Sequence, residues 1–130
     1  MMPALQGIIP PTLATVSANG IPNITYISHV QYVDDEHLAI SHQFFNKTWK
    51  NISENPLFMV AVSCPKSFNI WKITLKYVEE RTDGPIFDEM DMMIQAIATM
   101  QGLEGIFKLK SALVCKVESI ETLVSDGKII

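Results

Sequence analysis

Pro11-Thr-Leu-Ala-Thr-Val-Ser-Ala-Asn19-Gly20-Ile21 is the stretch from which the fold is read. Thr12, Thr15 and Ser17 are interspersed with Leu13, Ala14 and Val16, which predicts a strand over residues 11–18. Asn19-Gly20 is the strongest short hairpin signal, because both residues tolerate positive φ. The chain then returns over residues 21–33 as one long strand. One of its faces carries Ile24, Tyr26, Ser28, Val30 and Tyr32, and the other carries Thr25, Ile27, His29, Gln31 and Val33.

Working outward, Asp34-Asp35-Glu36 is a charged turn and residues 37–42 form the next strand. Residues 46–55 read as a short helix with Asn46 as N-cap, stopped at Asn55-Pro56 because proline disfavours helical geometry in the residue before it. Trp49 and Ile52 mark its apolar side. Residues 57–64 are almost wholly apolar, as a strand buried on both faces would be, and residues 68–80 alternate like an antiparallel strand with one wet face. A second helix begins at Asp83-Gly84-Pro85, with an apolar stripe of Phe87, Met90, Ile94, Ile97 and Met100 and a C-cap at Gly102. Residues 104–119 are the last strand, and the tail to residue 130 is read as short structure or fray. Six strands in hairpin order with two inserted helices predict one mainly β domain over residues 1–130, an antiparallel barrel rather than a doubly wound sheet. Strand spacing alone leaves a sandwich open.

Composition narrows the function classes. The chain is 48% hydrophobic, 18% charged and carries a net charge of −4, without a basic run, so nucleic acid is not an expected partner. No apolar run approaches the roughly 20 residues that span a bilayer, and no charged and apolar leader opens the chain. A cytoplasmic protein with Cys64 and Cys115 reduced is the expectation. No Cys-x-x-Cys spacing exists, and Asp88, Glu89 and Asp91 read as the wet side of a helix, so no metal site is predicted. So much apolar sequence in a small domain favours an oligomer, most simply a two-fold dimer.

The chemistry-bearing stretch is Ser41-His-Gln-Phe-Phe-Asn-Lys47-Thr48. A strand runs there into the first turn of a helix, whose free N–H groups and dipole favour an anion. Lys47 and Thr48 add an ammonium and a hydroxyl, a donor set suited to the three terminal oxygens of a phosphate monoester. The bland alternative is an exposed helix start with a solvated lysine. His42 lies either beside a ligand or at a strand end facing water, and no residue is named as catalytic.

The ordered set Thr12-Leu-Ala-Thr-Val-Ser17, Asn19-Gly20, Pro22-Asn23-Ile-Thr-Tyr-Ile-Ser28, Ser41-x-Gln43-Phe44-Phe45-x-Lys47-Thr48, Asn51 and Glu54-Asn55-Pro56 resembles the pyridoxamine 5′-phosphate oxidase-like family. The resemblance runs over nearly the whole chain, the Gly102-x-Glu104-Gly105-x-Phe107 segment included. It implies a split β-barrel that binds flavin mononucleotide (FMN) at the interface of a homodimer. It puts the phosphate at Lys47 and Thr48, and the ring near Thr25, Tyr26, Ile27 and Ser28 on one strand and Ser41, His42 and Gln43 on the other. A partner strand bearing Asn69 and Trp71 would close the pocket. The implied activity is an oxidoreductase working with a small-molecule electron donor or acceptor. Members acting on pyridoxamine phosphate carry a C-terminal Arg- and His-containing segment, whereas residues 119–130 here hold neither, so that substrate is not expected. The alternative is a non-catalytic cofactor-binding, sensory or structural barrel dimer.

Overall fold

The computed structural model describes all residues except 1–4, 6–8, 44–46, 101, 103–107, 127 and 130. Asn46 and the expected opening of the last strand at 104–107 lie outside the described residues. The elements in chain order are β1 (Thr12–Val16), β2 (Pro22–Tyr26), β3 (Val30–Asp34), β4 (His37–His42), α1 (Lys47–Glu54), β5 (Leu57–Ser63), β6 (Ile70–Arg81), α2 (Gly84–Met100), β7 (Ser111–Ser125) and β8 (Lys128–Ile129). All strand pairs are antiparallel, in the order β2-β1-β5-β6-β7-β4-β3, with β8 paired to β7.

β2 and β3 stand at opposite ends of that order yet are joined by residues 27–29 alone. Four peptide steps from Tyr26 to Val30 reach at most about 15 Å, so the sheet has to curl until its two edges nearly meet. The crossing itself is tied to both edges. Ile27 N–H donates to Pro11 O at 3.0 Å, and Ser41 N–H donates to His29 O at 3.1 Å. This is a mainly β barrel split where the chain changes edges, with a helix inserted after β4 and another after β6.

The single strand expected over residues 21–33 is therefore two. Nothing in the local sequence breaks it: residues 23–33 contain neither Gly nor Pro, and the alternation runs through. Pairing geometry makes the break, since each half has a different neighbour. With the added β8, the six expected segments become eight strands. The hairpin after β1 also differs in detail. Gly20 adopts φ +79° while Asn19 does not turn positive, and the ladder ends at Val16–Pro22, leaving a five-residue loop. Pro22 sits on an end strand of the sheet, where its missing N–H costs little. The tail is not fray, because residues as far as Val124 pair with the first half of β6 and then with β8.

Inside the barrel Leu13, Val30, Ile40, Phe58, Val60, Val62, Ile73, Leu75 and Leu113 form the main core. A second layer forms where Met90 and Ile94 of α2 pack on Ala39, Ala112 and Val114 from the other side of the sheet. Met100, placed in the apolar stripe by its spacing, is exposed at the helix end, and Ala98 is the buried residue instead. Gly102 closes that helix with φ +70°. β5 is buried on one face only: Leu57 and Met59 are 50% and 41% exposed because, among the described residues, no element covers the outer side of β2-β1-β5. Cys64 and Cys115 are both free thiols. Hydrogen bonds from the Ser67 hydroxyl and the Ser67 and Lys66 N–H groups pull Cys64 down to about 7, while burial pushes Cys115 up to about 12. No helix of the described residues is long and apolar enough to cross a membrane.

Leu13, fully buried, and Ile24, 71% exposed, are on neighbouring strands but opposite faces. In denaturant titrations at low protein concentration, Leu13→Ala costs about 2–5 kcal/mol. Ile24→Ala stays within about 0.5 kcal/mol. Comparable losses would contradict the facing of the hairpin.

His29, in the crossing, is buried, and its Nδ1 has no hydrogen-bond partner among the described residues. Burial holds its pKa below the ordinary 6.5. Between those two values the unfolded chain binds the extra proton and the folded one does not. Stability is therefore complete above pH 6.5 and declines as pH falls below it. Urea unfolding at a series of pH values should show this slope reduced in His29→Gln; an unchanged slope would remove His29 as its source.

Candidate cofactor site

α1 is amphipathic in an unusual way, since two of its three buried residues, Thr48, Asn51 and Ile52, are polar. Buried polar groups need partners, and the β1–β2 hairpin supplies them. Asn23 Nδ2 donates to Thr48 Oγ1 at 3.1 Å, and Asn51 Nδ2 donates to Thr15 Oγ1 at 3.1 Å. Thr15 and Asn23 are direct cross-strand partners, while Thr48 and Asn51 lie one helical turn apart. Two side-chain bonds thus link one turn of α1 to one rung of the hairpin. The Ala18 N–H adds a third tie, donating to Glu54 Oε2 at 3.3 Å.

This clamp fixes the head of α1. Thr48 is only 4% exposed, and its oxygen accepts from Asn23, so its own O–H is left to donate. Lys47 beside it is exposed and forms no ion pair among the described residues. Together with the first-turn N–H groups, which a helix leaves without a partner of its own, these donors constitute an anion-suited corner.

The end of β4 meets the crossing nearby in sequence and in register. Ser28 Oγ donates to Gln43 Oε1, and His29 N–H donates to Ser41 Oγ at 3.1 Å. Gln43 Nε2 is a buried donor without an acceptor among the described residues. Such a group costs stability unless something supplies an acceptor. A polar ligand carrying carbonyl oxygens or ring nitrogens would satisfy it, so the residues present fit the polar edge of a flavin as well as its phosphate.

His42 does not face water, as one sequence reading allowed. It is buried, its ring stacks on Trp49 with centroids 5.3 Å apart, and Trp49 in turn meets Tyr77 edge-on at 5.6 Å. Its Nδ1 lies 3.0 Å from Ser111 Oγ. Burial, with the charge of Glu80 adding to it, pushes the Tyr77 phenol up from its ordinary value.

The other expected residues scatter. Thr25 is half-buried and shares the inner face with Leu13, whereas Tyr26 is 73% exposed on the outer face in register with Thr12. Ile27 is part of the main core. Trp71 packs at the margin of that core on β6, three strands from β2. No hydrogen bond or ring contact ties it to the other candidates among the described residues. The structure thus groups Thr48 with Asn23, Ser28 with Gln43, and His42 with Trp49. Asn23 and Asn51 belong to the ordered set that carries the resemblance but were not named as site residues, and Trp49 was read as the apolar side of α1. An asparagine and a hydroxyl in matching positions of two elements was the available signal, but its meaning depends on knowing the register.

Comparison with known proteins accords with this architecture. The profile of the pyridoxamine 5′-phosphate oxidase family matches residues 3–123. An uncharacterized protein of Methanocaldococcus jannaschii is 32% identical over 124 residues, which is 91% of this chain and 77% of that one. An FMN-binding protein from Syntrophomonas wolfei superposes with a TM-score of 0.77 at 23% identity, covering 95% of this chain and 84% of the other. HutZ, a heme storage protein of Vibrio cholerae, gives a TM-score of 0.60 at 16% identity, with 96% and 94% covered. At those identities the two solved structures speak for the fold, while the profile match speaks for kinship: this chain belongs to the pyridoxamine 5′-phosphate oxidase family.

Proposed function

We propose that the chain binds FMN and acts as a flavoprotein oxidoreductase, as a homodimer, on a small-molecule electron donor or acceptor. The observation that carries this reading is the buried Thr48 hydroxyl, held on β2 by Asn23 beside the exposed Lys47 at the head of α1. Lys47, Thr48 and the first-turn N–H groups would hold the phosphate. Thr25, Ser28 and Gln43 would meet the polar part of the ring system, with Ser41 bracing the crossing behind them and His42 flanking the site under Trp49. Bound flavin supplies the electron and hydride chemistry, and the chain supplies placement, polarity and shelter from water.

The dimer is supported by the bare outer face of the hairpin half of the sheet. Ala14, Ile24 and Met59 are lateral neighbours there, with Val16, Tyr26 and Leu57 around them. A contiguous apolar face of this kind is what a second copy covers in a two-fold pair. Tyr26, exposed on that face and in none of the candidate pairs within one chain, would then serve the site across that interface.

FMN and riboflavin differ by the phosphate alone, and hydrogen bonds to a charged group contribute about 1.5–3 kcal/mol each. In fluorescence titrations the Lys47→Ala, Thr48→Ala double variant should lose at least about tenfold in FMN affinity. Its riboflavin affinity should change far less. Equal losses for the two ligands, or no binding of either by the unaltered chain, would contradict the reading.

A further inference from the structure

Three side chains at the inner end of the barrel form a chain of contacts that the phosphate corner does not use. His42 and Ser111 are direct partners on β4 and β7, and His42 Nδ1 lies 3.0 Å from Ser111 Oγ. Ser111 Oγ lies 2.7 Å from Glu80 Oε2, and the same carboxylate oxygen is 3.6 Å from His42 Nδ1. His42 and Ser111 are fully buried, whereas the Glu80 side chain is about one-third exposed.

Glu80 reaches this position through a defect in the ladder. Tyr77 pairs with Cys115, but Glu79 pairs with Val114 and Glu80 with Leu113, so Val78 is an extra residue in β6. Without that bulge the strict alternation would turn Glu79 inward with Tyr77. With it, Glu80 shares the inner face with Leu113, Ser111 and His42.

The proton count settles the roles. Ser111 has one hydroxyl proton, and an oxygen 2.7 Å from a carboxylate is favourable only when that proton points at the carboxylate. Ser111 Oγ must then accept from His42, so the imidazole carries its proton on Nδ1. The approach of Glu80 Oε2 to Nδ1 favours the same form. Trp49 covers one face of the ring, which excludes water and strengthens both bonds.

We propose that Glu80 and Ser111 are positioning residues that hold the neutral His42 ring in its Nδ1–H form, making Nε2 its hydrogen-bond acceptor. The consequence for specificity rests on the functional reading above. Where the Nε2 edge meets a bound ligand, this tautomer would favour a ligand N–H or O–H over a carbonyl or anionic oxygen.

The test is a long-range ¹H–¹⁵N correlation of the histidine rings in the full chain without added flavin, at a pH where His42 is neutral. Nδ1 should show the protonated-type shift and Nε2 the acceptor-type shift. Glu80→Ala should move His42 towards the Nε2–H form, because the Ser111 proton is then released to point at Nδ1, while Glu79→Ala should leave it unchanged. Ser111→Ala should act like Glu80→Ala, and where that buried change prevents folding, the partly exposed Glu80 carries the test. An Nε2–H ring in the unaltered chain, or a ring indifferent to Glu80→Ala, overturns the proposal. Because no flavin is present, failure of FMN to bind would sink the functional reading while leaving this result to stand by itself.

Discussion

The three-residue crossing between β2 and β3 is the constraint on which the molecule depends. A short tether between strands at opposite ends of the sheet order admits only a closed sheet, and closure creates the interior that Leu13, Ile40, Val60, Ile73 and Leu113 fill. It also brings residues 28 and 29 onto the end of β4, where Ser41 and Gln43 bond to them. A sheet opened at this point would lose its core and half of its candidate site together. The buried His29 and the Gln43 Nε2 group, without an acceptor among the described residues, are local costs accepted at the seam, and such costs concentrate where structure serves binding.

The second organising element is the polar clamp between α1 and the hairpin. An eight-residue helix is too short to persist on its own in water, so tertiary contacts must hold it. Here Ile52 supplies apolar burial, while Asn23–Thr48 and Asn51–Thr15 fix rotation and height on the hairpin. Hydrogen bonds add little net energy where burial already drives packing, but they define direction. Direction is what an anion corner requires, because a donor turned away from the ligand contributes nothing.

Much of this was legible in the sequence, and the failures have physical causes. Alternation identified the strand segments, Asn19-Gly20 marked the first turn, and the Met90–Ile94 stripe marked α2, because each signal is local. The break at residues 27–29 was invisible, since the pattern on either side of it is continuous. The one-sided burial of β5 was misread because its outward Leu57 and Met59 are as apolar as its inward Phe58 and Val60. At the site, Lys47 and Thr48 could be named from a helix start, whereas Asn23 is 25 residues from Thr48 and Ser111 is 69 from His42. Those pairings follow from register. The inward turn of Glu80 depends further on the extra residue Val78, which nothing local announces.

In the proposed function, the hairpin-clamped head of α1 is the place where the nucleotide is gripped. A crystal structure of the chain grown with FMN tests this most directly. The terminal phosphate oxygens should lie within hydrogen-bonding distance of Thr48 Oγ1 and the first-turn amides, with Lys47 Nζ alongside and the isoalloxazine beside Gln43. A nucleotide seated elsewhere, with the start of α1 open to bulk water, would contradict it.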